Sequence, residues 1–315
     1  MNLRDLRYLV AVAEHRHFGR AAAACFVSQP TLSAQLKKLE RFLGAQLVER
    51  SSKHVLLTPL GEEVAGRART ITTIADDIVE TARSARDPLS GELRVGAIPT
   101  LAPYLLPHLM PALQEHLPNI RPLIREDQTA RALEQLRAGQ LDVCLLAVPV
   151  DGAETLASAT LYEEPFLLAA PAGHPLARSA TVSVDDLGGS DMLLLEEGHC
   201  LREQALSVCR RVGAGEASDF RATSLETLRQ MAIAGAGITL LPEMASGGAR
   251  ERDGLALRPF RHPQPRRTIA ALWRKGSARE PTVQALVALI RSLPVVRALS
   301  TSARAGDAPP VDPVG

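Results

Sequence analysis

The 315-residue sequence predicts a multidomain protein with a helix-rich N-terminal part and an α/β C-terminal part of two lobes. Three observations predict this class. The first 58 residues combine apolar positions at helical spacing with two short β-type runs, a long helical pattern follows, and strands and helices alternate beyond a Pro/Gly break. The length agrees, because about 150 residues per domain predicts two domains.

Three short helices are predicted at the N-terminus. Apolar residues recur at helical spacing from Leu3, and an alanine-rich run at 20–26 forms a second helix. Ser28 suits an N-cap, and the leucine stripe that follows it ends at Gly44. Two such helices joined by a short turn form a helix-turn-helix, whose second helix presents its first residues to the DNA major groove. The candidate base-contacting residues are Gln29, Thr31 and Ser33.

A β-hairpin wing is predicted next, which makes residues 1–58 a winged helix-turn-helix domain. The runs 47–50 and 55–58 flank a polar turn, and Arg50 and Lys53 are candidates for phosphate contacts. Residues 1–69 contain eleven Lys and Arg against six Asp and Glu, whereas the rest of the chain is net −4. This asymmetry favours a nucleic-acid-binding module at the N-terminus, although a solvated helical face gives the same count.

A long linker helix is predicted over 59–87. At about 1.5 Å per residue it would extend roughly 40 Å, too far to be buried on so small a domain, so we expect it to pair with a second copy. Residues 88–91, which contain Pro88 and Gly91, predict a hinge. The predicted apolar stripe of the helix comprises Val64, Ala68, Ile71, Ile74 and Ile78.

Residues 92–300 are predicted to form a two-lobed regulatory domain. The first lobe shows a βαβαβ order typical of a parallel sheet, and a second α/β set follows from Glu164. Ligands of such sheets bind beyond the carboxyl ends of the strands, which predicts a site in the cleft between the lobes. Residues 301–315 are predicted to be a disordered tail. Strands are expected at 93–98, 121–126, 142–148, 192–195, 220–222 and 238–241, and helices at 104–116, 131–138, 200–212 and 224–234.

Composition argues against several classes of protein. No run approaches the ~18 apolar residues of a membrane helix, and charged residues near the N-terminus do not fit a secretory signal, so we expect a cytoplasmic protein with no membrane partner. Four scattered cysteines, without a CxxC pair, predict neither a disulfide framework nor a metal site. Aromatic residues, at 3%, are too few for a surface that stacks single-stranded bases.

The N-terminal motifs resemble those of LysR-type transcriptional regulators, and the long helix and two-lobed domain follow in that family's order. The resemblance implies a homodimer or homotetramer that binds double-stranded DNA, and a periplasmic-binding-protein-like effector domain. A symmetric dimer requires a pseudo-palindromic operator. Val48 departs from the family's frequent Phe, which we expect to affect only wing packing. The residues that carry the resemblance are Phe18, Ala21, Ala22, 28–30, 32–33, Gln35, 39–40, 43–44, Leu47, Arg50, 57–58 and Gly61.

The segment 198–205, followed by Cys209, resembles the peroxide-sensing members of that family, as do 98–100 and 128–129. The resemblance implies that hydrogen peroxide oxidises Cys200, that a Cys200–Cys209 disulfide forms, and that antioxidant genes are then activated through RNA polymerase. It implies a non-enzymatic protein with no cofactor beyond peroxide as the signal. Glu203 and Val208 depart from the expected Asp and Phe without removing a reactive group. The remaining residues assigned to the peroxide site are Thr100, Thr129, His199 and Arg202.

Helix geometry gives the two cysteines a physical consequence. Cys200 at a helix start would lie where unpaired N–H groups favour a thiolate, and we expect His199 and Arg202 to add positive charge. Nine residues of helix separate Cys200 from Cys209 by roughly 13.5 Å, whereas a disulfide requires Cα atoms within about 7 Å. Forming the bond must therefore unwind or refold the segment, which can move a subunit interface.

Other functions fit parts of the sequence. A regulator that responds to a small metabolite in the cleft would not need Cys200, and a thiol peroxidase would use the same first chemical step but leave the basic domain unexplained. A solute-binding protein shares the two lobes but needs a secretory signal. Taken alone, each cysteine is more often a packed core residue, which is how we interpret Cys25 and Cys144.

Overall fold

The structure is a computed structural model that describes residues 1–50, 55–84, 87–210, 213, 215–247, 251–252 and 254–305. The chain divides into two compact units, residues 1–87 with 137–140 and residues 88–136 with 141–315.

The first unit has the predicted winged helix-turn-helix order. Ser28 caps the third helix by accepting a hydrogen bond from the Thr31 backbone N–H, and Gly44 ends that helix in a left-handed conformation, both as expected. The strands of the wing pair in antiparallel register between Val48 and Leu57. The elements are α1 Leu3–His15, α2 Phe18–Ala24, α3 Gln29–Leu43, β1 Val48–Arg50, β2 Val55–Leu57 and α4 Pro59–Ser84.

Helix α4 has two apolar faces rather than one. Ala65 and Ala68 are buried in the core of the first unit, where α4 packs on α1. Ile71, Ile74 and Ile78 are exposed, with 45%, 56% and 67% of their surface accessible. The predicted stripe is therefore divided between packing inside the unit and an uncovered aliphatic face near the end of the helix.

The second unit contains the predicted alternation together with strands that the sequence analysis did not assign. Short 3₁₀ helices lie at Pro175–Arg178, Asp185–Leu187 and Glu243–Ser246. Its strands are β3 Gly91–Ala97, β4 Ile120–Glu126, β5 Val143–Val148, β6 Leu156–Pro171, β7 Asp191–Leu195, β8 Gly215–Ala222, β9 Thr239–Pro242, β10 Glu251–Arg252, β11 Leu255–Pro259 and β12 Arg266–Arg274. Its helices are α5 Ala102–His116, α6 Thr129–Arg137, α7 Cys200–Arg210, α8 Leu225–Ile233, α9 Glu280–Ser292 and α10 Pro294–Ala305.

The largest sheet in the described residues is mixed, and β7 and β8 form a separate two-stranded sheet. Strand β3 pairs in parallel with β4 and β5, and β7 pairs in parallel with β8, as the alternation predicted. Strand β12, however, returns antiparallel between β5 and β6. The 16-residue strand β6 then continues to antiparallel partners β9 and β11. One strand therefore belongs to both lobes.

Two separate apolar cores define the lobes. The first is built around β3, β5 and β12 and is covered by α5, α9 and α10. The second lies around β7, β9 and β11 and includes one face of α7 and α8. The C-terminal helices thus pack on the first lobe, although they follow the second lobe in the chain.

The C-terminal boundary corrects one expectation. Helix α10 continues to Ala305, so 301–305 are helical where a disordered tail was predicted, and 306–315 lie outside the described residues. The linker helix ends at Ser84 in the described chain, before the expected 87. Within the described ranges, every helix is too short or too polar to cross a bilayer.

Two glycines of α4 provide a matched test of the packing in the first unit. A Cβ on Gly61 would collide with the backbone carbonyl of Leu47, whereas a Cβ on Gly66 would point into open space. Gly61→Ala should therefore destabilise the unit by about 1–3 kcal/mol. Gly66→Ala should stabilise it by about 0.5–1 kcal/mol because alanine is the better helix former. Chemical denaturation of the full chain measures both, and equal effects would contradict the close approach of α4 to Leu47.

Candidate functional site

Cys200 is the first residue of α7 and is half-buried at the junction of the two lobes. The preceding Gly198 has φ +93°, and a Cβ there would collide with the side-chain amide of Gln128. The left-handed backbone favours glycine at this position, where the loop lies against the loop that follows β4. The arrangement brings the predicted 198–200 and 128–129 segments together.

The two candidate redox cysteines occupy different cores. Nine residues at 100° per residue place Cys200 and Cys209 on opposite faces of α7. Cys200 packs against the core of the first lobe, whereas Cys209 is buried in the core of the second. Both are free thiols. The separation is thus one of direction as well as of length, and a disulfide between them requires loss of the helix.

Thr100 is held by a buried ion pair. Its hydroxyl accepts a hydrogen bond from Arg267 Nη1 at 3.0 Å, and its carbonyl accepts from Arg267 Nη2 at 3.1 Å. Arg267 Nε also donates to Glu164 Oε2 at 2.8 Å, and neither charged side chain is appreciably exposed. Thr100 therefore lies at the end of a network that fixes its hydroxyl.

The positive charge near Cys200 comes from Arg267. Burial disfavours a charged guanidinium, but Glu164 and then Tyr162 and Cys200 raise the pKa of Arg267 above its ordinary value. Sequence patterns did not predict this residue, because Arg267 is 67 positions from Cys200 and only the antiparallel pairing of β12 brings it near. The available signal was a charged residue at the start of an apolar strand, opposite Glu164 in another strand.

His199 does not supply the expected positive charge. It is buried, and its Nε2 lies 4.0 Å from Glu196 Oε1. Burial lowers the pKa of His199, and Glu196 offsets this effect only in part. The imidazole is therefore neutral at neutral pH, although it does line the cleft.

Arg202 is also placed differently from the expectation. Two residues along a helix are about 200° apart, so Arg202 faces away from Cys200. Its guanidinium donates to the carbonyl of Leu195 at the end of β7. The structure thus gives Arg202 a role in holding α7 on the second lobe, on the helix face opposite Cys200.

Two of the buried polar atoms that have no hydrogen-bond partner among the described residues belong to the predicted segments 128–129 and 198–205. One is Thr129 Oγ1, at the first position of α6, and the other is Gln204 Oε1. Gln204 lies one turn after Cys200 and shares its helix face. Buried polar atoms are nearly always satisfied, so these two are available to a small polar ligand. Gln204 was not predicted, although its spacing of four residues was a usable signal.

A cleft of about 580 Å³ lies between the lobes beyond the ends of β3, β4 and β7. It is lined by Tyr104, Asp127, Gln128, His199 and Glu226 among others. Tyr104 packs against both cores. This confirms a ligand-sized cavity at the predicted edge of the sheet, much larger than a peroxide molecule.

The candidate DNA-contacting residues are displayed at the start of α3. Gln29 and Thr31 are exposed and Ser33 is half-buried. The Thr31 hydroxyl lies 2.8 Å from the Ser28 hydroxyl, so it is already oriented by the N-cap. The side chain of Arg50 and the whole of Lys53 lie outside the described residues. Three of the five predicted positions can therefore be placed, all in the first two turns of the helix.

No group of three or more His, Cys, Asp and Glu side chains placed to hold a metal ion was found in the described part of the chain.

Two family models match most of the chain. Residues 3–62 match the bacterial regulatory helix-turn-helix protein model of the lysR family. Residues 86–294 match the LysR substrate binding domain. Together they cover both units of the structure.

Individual proteins are similar over the same span. The chain is 47% identical over 292 residues to the DNA-binding transcriptional dual regulator OxyR of Escherichia coli K12, covering 93% of this chain and 95% of that protein. A probable hydrogen peroxide-inducible genes activator of Mycobacterium avium is 43% identical, with 91% and 93% covered. A full-length OxyR variant from Pseudomonas aeruginosa has a TM-score of 0.80 at 38% identity, with 94% and 97% covered.

The lowered pKa of His199 predicts a pH effect on stability. In the unfolded chain the imidazole titrates near its ordinary value of about 6.5, whereas the folded protein resists protonation. The free energy of unfolding should therefore fall as pH drops below 6.5. In His199→Gln this component is absent, so the loss between pH 7.5 and 5.5 should be smaller. Urea unfolding at both pH values measures it, and identical losses in the two proteins would refute the assignment.

Proposed function

The chain belongs to the LysR family of bacterial helix-turn-helix regulators, and we propose that it is a DNA-binding regulator switched by oxidation of Cys200 with hydrogen peroxide. The observation that carries this proposal is the placement of Cys200 and Cys209 on opposite faces of one helix, in two different cores. A bond between them necessarily changes the fold. The printed names of the relatives, which include hydrogen peroxide-inducible genes activators, support the choice of oxidant.

The chemistry has two balanced steps. The thiolate of Cys200 attacks one oxygen of hydrogen peroxide, and the O–O bond breaks. The products are a sulfenic acid on Cys200 and a hydroxide ion, and the hydroxide takes up a proton to become water. The thiol of Cys209 then attacks the Cys200 sulfur, so that an S–S bond forms and a second water leaves. Two thiols are oxidised and one peroxide is reduced to two waters.

Several side chains are arranged to assist the first step. Arg267 provides a fixed positive charge near the sulfur, while Thr129 Oγ1 and Gln204 Oε1 are buried polar atoms with no partner among the described residues. Thr100 is oriented by Arg267. His199 completes the wall of the cleft as a neutral ring. We infer that peroxide binds among these groups.

Formation of the disulfide explains how oxidation can change DNA binding. To reach Cys200, Cys209 must leave the second core, which also buries Leu201, Ala205 and Val208 of α7. Refolding of this segment changes the surface of the regulatory domain and hence the arrangement of DNA-binding units in a homodimer or homotetramer. The exposed aliphatic face of α4 is suited to self-association. Activation of transcription then proceeds through contact with RNA polymerase.

The cleft volume favours a second candidate, a regulator that responds to a small metabolite. A cavity of about 580 Å³ falls within the usual range for small-molecule sites. In that case regulation would survive the loss of Cys200, so the behaviour of Cys200→Ser distinguishes the two functions.

The redox proposal predicts a defined covalent product. One equivalent of hydrogen peroxide should yield a Cys200–Cys209 cross-linked peptide by mass spectrometry, and Cys200→Ser should abolish it. Cys144→Ser is the matched control, because Cys144 is buried in the first core and burial raises its pKa to about 12. The proposal fails if peroxide leaves both thiols of the wild-type chain free. Catalytic turnover of excess peroxide with a thiol reductant would favour a peroxidase instead.

The DNA-binding proposal predicts a specific loss. Gln29→Ala should weaken binding to the operator by about 1–3 kcal/mol, roughly 5- to 150-fold, because it removes base contacts and leaves phosphate contacts in place. Binding to non-specific DNA should change little, as should the rate of Cys200 oxidation.

Footprints of reduced and oxidised wild type should differ in length or register, whereas Cys200→Ser should give one footprint under both conditions. A wild-type footprint that peroxide leaves unchanged would contradict the switch.

A further inference from the structure

We propose that Glu164 is a positioning residue for the peroxide reaction, acting through Arg267 on the hydroxyl of Thr100. The inference rests on the function proposed above, and it concerns a carboxylate in the middle of β6 that does not itself belong to the peroxide pocket.

Arg267 determines which way the Thr100 hydroxyl can donate. A guanidinium only donates hydrogen bonds, whereas a hydroxyl has one proton and two lone pairs. Because Arg267 Nη1 donates to Thr100 Oγ1 at 3.0 Å, the Thr100 proton must be directed elsewhere. The second bond, from Nη2 to the Thr100 carbonyl, prevents the residue from turning away. Thr100 is thereby set as a hydrogen-bond donor.

Glu164 in turn determines where the guanidinium lies. Glu164 and Arg267 are direct cross-strand partners of β6 and β12. Oε2 of Glu164 accepts from Arg267 Nε at 2.8 Å, and Oε1 accepts from the backbone N–H of Met244 at 2.9 Å. Both carboxylate oxygens are therefore occupied, and the side chain is fully buried. The carboxylate cannot reorient without leaving a buried donor unpaired.

Competition with the nucleophile explains why a carboxylate is needed. Cys200 lies within electrostatic reach of Arg267, since its charge contributes to the raised pKa of the guanidinium. Without Glu164, the most favourable partner for the buried cation would be the Cys200 thiolate itself. A guanidinium paired directly with the sulfur would occupy the lone pair that must attack peroxide. Glu164 keeps the cation on Thr100 instead.

In the attack of Cys200 on peroxide, this arrangement places the Thr100 hydroxyl as a hydrogen-bond donor to the departing oxygen. As the sulfur–oxygen bond forms and the O–O bond breaks, the departing oxygen gains negative charge. The Thr100 O–H stabilises that charge only if its proton already points into the pocket. Glu164 touches neither peroxide nor sulfur, and its effect passes through two hydrogen bonds.

The decisive variant is Glu164→Asp, which keeps the charge but shortens the side chain by one methylene. Cys200 thiol loss in the full chain is followed by quenched-flow mass spectrometry at increasing pH. We expect the plateau rate constant to fall about 10- to 100-fold, with little change in the pH at half-plateau. In a Thr100→Val background the same substitution should have almost no further effect, because the group it positions is gone.

Glu163→Gln is the matched control. Glu163 is the next residue of β6 and accepts from the Thr268 hydroxyl, so it should leave the plateau unchanged. If Glu164→Asp does not fold, Glu164→Gln applies the same test, because the amide keeps the length of the side chain but removes the charge that holds the Arg267 guanidinium in place. A wild-type plateau in a folded variant, or full additivity with Thr100→Val, overturns the inference. Failure of peroxide to oxidise wild-type Cys200 would overturn the proposed function instead.

Discussion

The periodicity of α7 is the constraint on which the proposed switch depends. An α-helix turns 100° per residue, so a spacing of nine places two side chains on opposite sides. In this structure those sides face different cores, which gives each cysteine a separate packing environment. The reduced state is thereby stabilised by ordinary apolar burial, and the oxidised state must give up part of that burial. A disulfide, typically worth a few kcal/mol, is of the size needed to offset such a loss.

The electrostatics of the site come from strand pairing rather than from sequence neighbours. The residues next to Cys200 in the chain contribute little positive charge, since His199 is neutral and Arg202 points to the opposite face. The positive charge is that of Arg267 in β12, which is paired with the carboxylate of Glu164 in β6. A buried pair of this kind is costly to desolvate and gives little net stability. Its position near Cys200 fits the positioning role proposed above.

Local patterns predicted the elements, but not the long-range pairing. The Ser28 cap, the Gly44 stop and the βαβαβ alternation each depend on a few neighbouring residues, and the structure has all of them. Candidate site residues were predicted only where a motif lies in continuous sequence, as at 98–100, 128–129 and 198–205. The place of Arg267 and Glu164 beside the site was not predicted, because the neighbouring residues in the sequence do not show that a charged residue in a strand is buried and paired. The two faces of α4 could not be separated either, because periodicity shows that a face is apolar but not what covers it.

Strand β6 limits how the regulatory domain can move. Its first part is hydrogen-bonded along β12 in the first lobe, and its last part lies between β9 and β11 in the second. A hinge closure of the lobes would have to bend this continuous strand, which is paired with other strands in each lobe, and would break some of those backbone hydrogen bonds. Rearrangement of a single peripheral helix leaves those ladders intact. The architecture therefore suits a signal in which only the α7 segment refolds, while the paired strands of both lobes keep their positions.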